Sequence, residues 1–216
     1  MLAKVKFCGM TRPQDAALAA EIGATYIGVI FAEGPRRVTL DRALEILGAA
    51  GSAVKHVGVF GTNDTDRIME IADAVNLDVV QLHADPGSSD VEALRRRFGG
   101  EVWAAIRIPG AHIPHQFDEL FEIADGVLLD AHSGEKLGGT GIPLPWNELA
   151  GDLARDRGSA EVILAGGLNP KNVFSAIRVL APDVVDVSSG VESAPGIKDP
   201  WLMREFYEAA AGHSIA

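Results

Sequence analysis

Eight short apolar runs, with helix-period stretches filling the gaps between them, predict an α/β protein: a single-domain (β/α)8, or TIM, barrel over residues 1–216. The runs are Val5–Cys8, Tyr26–Phe31, His56–Phe60, Val79–His83, Val102–Arg107, Val127–Asp130, Val162–Ala165 and Val184–Val187. Each is near-continuously apolar, as parallel strands covered on both faces require. Their starts lie about 21 to 35 residues apart, room for one strand and one helix each. That alternation uses up the chain and leaves little for a second domain. An open doubly wound sheet is the competing fold, because periodicity alone does not exclude it.

The helices follow from apolar residues at three- and four-residue spacing. They are expected at Pro13–Ile22, Leu40–Ala49, Asp64–Ala74, Asp90–Phe98, Ile113–Ile123, Asn147–Arg157, Pro170–Leu180 and Pro200–Ala211. Asn169-Pro170 and Asp199-Pro200 each set a capping side chain before a proline at the first helical position. The stretch Ile113–Ile123 is blurred by Pro114 and the two histidines beside it.

Composition narrows the partners. A formal net charge of −11 argues against nonspecific nucleic-acid binding and against docking on an anionic membrane. A phosphorylated small molecule stays open, since backbone N–H groups at a helix start can hold phosphate without net positive charge. No apolar run approaches the ~20 residues of a membrane span, and Met-Leu-Ala-Lys leads straight into a strand, so no secretory leader is expected. One cysteine forms no internal disulfide, which makes the reducing cytoplasm the expected compartment.

In such barrels the chemistry collects at the C-terminal strand ends. Reading past each run gives Cys8, then Arg36 and Arg37 after Gly34-Pro35, then His83, Arg107, Asp130, Gly166-Gly167-Leu168-Asn169, and Ser188-Ser189-Gly190. The last two are small-residue turns after the seventh and eighth strands, the usual phosphate position, although tight strand-to-helix turns alone would also need glycine. Cys8 and Asp130 would face each other across the mouth, a thiol able to take a proton and a carboxyl able to give one. A lone cysteine is also what a small buried hydrophobe looks like, and Asp130 could be a turn residue or a cap. His112 and His115 read as a surface loop, with no carboxylate completing a metal set. Trp146 and Trp201 read as packing residues.

Lys6-Phe7-Cys8-Gly9-Met10-Thr11 resembles the opening signature of the phosphoribosylanthranilate isomerase family of tryptophan biosynthesis. The resemblance runs on through Gly28-Val29-Ile30-Phe31 with Pro35-Arg36, Val80-Gln81-Leu82-His83, Leu128-Leu129-Asp130, Gly138-Gly139-Thr140-Gly141, and Ala165 to Val173. It ends with Asp186 to Glu192, Pro195-Gly196 and Lys198-Asp199. Departures are confined to loops: Gly34 replaces a usual Ser, Ala84 a usual Gly, and Leu144-Pro145 a common Phe-Asp.

The resemblance implies a cofactor-free and metal-free Amadori rearrangement, an aldose-to-ketose isomerisation. N-(5'-phosphoribosyl)anthranilate becomes 1-(2-carboxyphenylamino)-1-deoxyribulose 5-phosphate. It also implies roles: Asp130 the general acid and Cys8 the general base; Arg36, with Arg37 as its alternative, on the anthranilate carboxylate; His83 and Asp186 on the substrate. Phosphate would fall to Gly141, Gly166, Gly167, Ser189 and Gly190. A monomer or a homodimer is expected, with no nucleic-acid or membrane partner. Two other readings stand beside it. A bifunctional histidine and tryptophan sugar isomerase would be expected to carry Asp where Cys8 stands, and a non-catalytic phosphosugar-binding barrel would not need both members of the acid–base pair.

Overall fold

The structure, a computed structural model, describes residues 3–108, 110, 112–131, 145–153 and 158–212. The predicted runs form β1 (Lys4–Phe7), β2 (Tyr26–Ile30), β3 (Lys55–Phe60), β4 (Val79–Leu82), β5 (Glu101–Ile108), β6 (Gly126–Ala131), β7 (Glu161–Leu164) and β8 (Val184–Val187). They pair in chain order, all parallel, and β8 returns to β1, so the sheet closes into a barrel rather than staying open. Cys8 and His83, expected as last strand residues, stand one position beyond β1 and β4.

The helices are α1 (Pro13–Glu21), α2 (Leu40–Ala50), α3 (Thr65–Val75), α4 (Ser88–Arg95), α5 (Asp118–Ile123), α6 (Trp146–Leu153), α7 (Val173–Leu180) and α8 (Pro200–Ala210). Thr39, Asp64 and Asp199 cap α2, α3 and α8 through their side-chain oxygens. The Asn169-Pro170 cap is corrected: α7 begins at Val173, and Asn169 serves the loop instead. The blurred fifth stretch resolves into a 3-10 turn at His115–Phe117 followed by the short α5. Trp201 is corrected too, being 69% exposed, whereas Trp146 packs against the core. No helix among the described residues is long and apolar enough to cross a membrane.

Side chains alternate across a strand, so each strand feeds two cores. One lies between sheet and helices and holds Phe7, Ile27, Leu82, Leu129 and Phe206 among others. The other fills the barrel's interior, where Tyr26 and Trp103 meet edge to face at 4.8 Å with Val57, Val79 and Leu128 around them. Lys6, Gln81 and Asp186 are buried polar residues on β1, β4 and β8, each flanked by apolar neighbours. The interior is therefore plugged by apolar side chains, with a polar layer and an open mouth at the carboxyl end.

Candidate active site

The mouth is a single cavity whose wall includes Cys8, Arg36, His83, Asp130, Asp186 and the Gly166–Gly167 turn. Ser189 and Gly190 line it as well. Arg36 reaches the cavity. Arg37 does not line it and instead pairs outward with Glu33. Gly141 lies outside the described residues.

Cys8 is placed by backbone bonds on both sides. Its N–H donates to the Val187 carbonyl at 2.9 Å, and the Met10 N–H donates to the Gly28 carbonyl at 2.9 Å. Gly28 makes room for the thiol, since a Cβ there would stand 3.0 Å from Cys8 Sγ. Burial pushes the Cys8 thiol above its ordinary pKa; Lys6 and Lys198 pull it down and Asp186 pushes it up, and the balance stays with the neutral form. Iodoacetamide should therefore alkylate Cys8 slowly at neutral pH. The rate should climb only as pH passes well above the ~8.5 of a free thiol. A rate already at its plateau below pH 8 would contradict a neutral resting thiol.

Lys6 is the least expected member of the site. It is fully buried, and its Nζ donates to Gln81 Oε1 and to Asp186 Oδ1, each at 3.0 Å. Asp186 stands beside it in the β8–β1 register. Burial works against this ammonium, but Asp186, joined by Cys8 when it is a thiolate, raises its pKa, so Lys6 is charged at any working pH. Asp186, expected on the substrate, thus reaches the cavity wall with one oxygen engaged by Lys6. Gln81 Nε2 lies 3.1 Å from His83 Nδ1, and His83 Nε2 lies 3.7 Å from Asp130 Oδ2. Burial lowers the His83 pKa to about 4, aided by Lys6 and Arg107 and opposed by Asp85. His83 is neutral at pH 7.

A second network lies at the ends of β1 and β8. Arg36 grips Glu192 with both arms of its fork, Nε to Oε1 at 2.8 Å and Nη2 to Oε2 at 2.7 Å. Lys198, also buried, donates from Nζ to Glu192 Oε1 at 2.9 Å, to the Cys8 carbonyl at 2.6 Å and to the Ser188 carbonyl at 3.0 Å. One ammonium thereby ties the end of β1 to the end of β8 and anchors the carboxylate that aims Arg36. Burial alone would raise Glu192, but Arg36 and Lys198 hold its pKa below the usual value.

The two small-residue turns meet where the sequence put them. Gly166 and Gly167 have φ of +79° and +67°, a left-handed pair that side chains resist. The Gly167 carbonyl accepts from Asn172 Nδ2 at 2.9 Å and Asn169 Nδ2 at 3.4 Å, which fixes the turn. Gly190 packs so closely that a Cβ would fall 1.9 Å from the Leu168 carbonyl oxygen, locking the eighth turn against the seventh. The N–H groups of Gly166, Gly167, Ser189 and Gly190 donate to no backbone carbonyl among the described residues. That leaves donors for an anion at this end of the cavity. Among the described residues, no group of three His, Cys, Asp or Glu is arranged to hold a metal ion.

Sequence reasoning gave no role to Lys6, Gln81, Glu192 or Lys198. The first two had a signal: a polar residue inside an apolar run, at a spacing of two from Cys8 and His83, shares their face of the sheet. Glu192 and Lys198 lie beyond the last barrel strand, on the short strands β9 (Glu192–Ala194) and β10 (Ile197–Lys198), where no periodicity marks them.

Residues 5–209 match the family profile described as N-(5'phosphoribosyl)anthranilate (PRA) isomerase. A relative from Rubrobacter xylanophilus, named N-(5'-phosphoribosyl)anthranilate isomerase, is 43% identical over 210 residues, covering 97% of this chain and 99% of the relative. The crystal structure of phosphoribosyl anthranilate isomerase from Thermotoga maritima is 32% identical, covers 97% of this chain and 99% of its own, and superposes with a TM-score of 0.85. A structure of the isomerase in complex with reduced 1-(o-carboxyphenylamino)-1-deoxyribulose 5-phosphate is 30% identical, with the same coverages and a TM-score of 0.82.

Proposed function

The chain belongs to the N-(5'-phosphoribosyl)anthranilate isomerase family, and we propose that Asp130 and Cys8 are the general acid and general base of its Amadori rearrangement. The reaction converts N-(5'-phosphoribosyl)anthranilate to 1-(2-carboxyphenylamino)-1-deoxyribulose 5-phosphate in tryptophan biosynthesis. Asp130 gives its proton to the ring oxygen as the C1–O bond breaks and the anilino nitrogen's lone pair forms C1=N⁺. Cys8, after losing its thiol proton to solvent, takes the C2 proton as a thiolate. The C–H electron pair becomes C1=C2, and the C1=N⁺ π pair returns to nitrogen. The resulting enolamine loses its hydroxyl proton and gains one at C1 to give the ketone.

The observation that carries this reading is the convergence of Cys8, Asp130 and two anion-ready turns on one cavity above a plugged barrel. The 5'-phosphate is assigned to the turns holding Gly166, Gly167, Ser189 and Gly190, with Gly141 added by resemblance. The anthranilate carboxylate is assigned to Arg36, whose Nη1 makes no hydrogen bond among the described residues while Nε and Nη2 are held by Glu192. His83 and Asp186 complete the substrate wall. Ring opening creates an iminium cation, which lowers the cost of a thiolate beside it. An active thiol that must stay reduced fits a cytoplasmic enzyme.

Purified protein in chelator-treated buffer should consume N-(5'-phosphoribosyl)anthranilate, read as loss of anthranilate-type fluorescence, at a kcat in the ordinary enzymatic range of ~1–10³ s⁻¹. Folded protein giving no turnover would overturn the reading.

A further inference from the structure

A chain of polar contacts crosses the mouth from Asp186 through Lys6, Gln81 and His83 to Asp130, and its donors and acceptors can be placed in only one way. Lys6 Nζ has protons to give and no lone pair to offer. Its 3.0 Å partner on Gln81 must therefore be the amide oxygen, and the flipped amide would set donor against donor. The NH₂ group of Gln81 then points at His83 Nδ1, 3.1 Å away. That nitrogen has to accept, so it carries no proton. The ring's single proton lies on Nε2, the nitrogen 3.7 Å from Asp130 Oδ2.

We propose that Gln81, oriented by Lys6, is a positioning residue that locks His83 in its uncharged tautomer, with a bare Nδ1 and an Nε2–H directed at the general acid. This rests on the assignment of Asp130 as that acid. The charge state matters more than the bond. An imidazolium this close would hold Asp130 ionised and remove the proton it has to give. A neutral N–H brings no such charge and still offers a donor to the carboxylate formed once the proton has gone. The groups facing His83 are Lys6 on β1, Asp130 on β6, Arg107 on β5 and Asp85 beyond β4, with Asp186 one step behind Lys6. Burial, Lys6 and Arg107 oppose a charged ring, and Asp85 favours one. Burial holds the ring neutral, and protonating Nδ1 would in addition break its bond to the Gln81 NH₂, so the amide selects which nitrogen keeps the single proton.

The test reads the tautomer directly. Two-bond ¹H–¹⁵N spectra of substrate-free protein should show His83 as the neutral Nε2–H form from pH 8 down to about pH 5. In Gln81→Glu the new carboxylate accepts from Nδ1, and both nitrogens should carry protons at pH 7. Its kcat should fall at least ~10-fold at pH 7, with KM changed far less, and should recover as pH rises and the ring loses its charge. Gln81→Met, which keeps volume without a donor, should show a mixture of the two neutral tautomers. An Nδ1–H or doubly protonated His83 in the parent protein would overturn the proposal. So would a Gln81→Glu variant whose ring stays neutral, or whose kcat keeps the parent's pH profile. The spectra need no substrate, so absent turnover in the parent would sink the isomerase reading while leaving the tautomer result to stand or fall alone.

Discussion

Asp130→Asn is expected to lower kcat by at least ~10², with KM affected far less, and Cys8→Ala to do the same. A factor of ~10² corresponds to about 2.7 kcal/mol of transition-state stabilisation, ordinary for a positioned acid or base. The asparagine amide would match the carboxyl in shape but has no comparably acidic proton to give, so ring opening loses its driving step while substrate contacts stay. The alanine substitution removes the only nucleophilic group at the end of β1, and no described residue replaces it there. The Lys198 bond to the Cys8 carbonyl involves backbone and survives the substitution, so the wall keeps its shape. Steady-state kinetics on folded variants provides the check. Near-full activity in Cys8→Ala would remove the thiol from the mechanism.

Lys6→Met carries the largest expected cost in stability. Lys6 is fully buried, and Asp186 is nearly so. Removing one partner of a buried pair strands the other charge, which typically costs about 3–5 kcal/mol. For a chain of this length that corresponds to a fall in Tm of roughly 10 °C. Gln81 loses its anchor as well, so its amide is free to flip. Adding Asp186→Leu to Lys6→Met removes the stranded carboxylate and should recover much of the lost stability, because the desolvation cost goes with the charge. Thermal unfolding of the two single variants and the double variant tests this. If the single losses simply added, the pair would not be the energetic unit.

The barrel was legible because each strand is buried on both faces and its apolar run stands out against the helix period. Cys8, Asp130 and the glycine turns were legible for a related reason: barrel strands end at the mouth, so whatever follows an apolar run is presented there. What the sequence hid is the layer just beneath. Lys6 and Gln81 lie inside runs whose neighbours are all apolar, and only strict attention to a spacing of two shows that they face inward. Glu192 and Lys198 could not be found by pattern at all, since they reach the site from the β9–β10 hairpin through contacts distant in sequence. Asn169 misled because its neighbour Pro170 imitates a helix start, while the side chain is used to hold the Gly167 carbonyl. Which of Arg36 and Arg37 lines the cavity could not be read from the sequence, because it follows the pairing of Arg36 with the distant Glu192.

The division of labour between Asp130 and Cys8 is tested most directly by single-turnover rates for substrate carrying hydrogen or deuterium at C2. Cys8→Ala should show a full primary isotope effect, because removing the C2 proton becomes the slow step. Asp130→Asn should show none, because ring opening then limits the rate before that bond is touched. An isotope effect in Asp130→Asn together with its absence in Cys8→Ala would contradict the assignment and exchange the two roles.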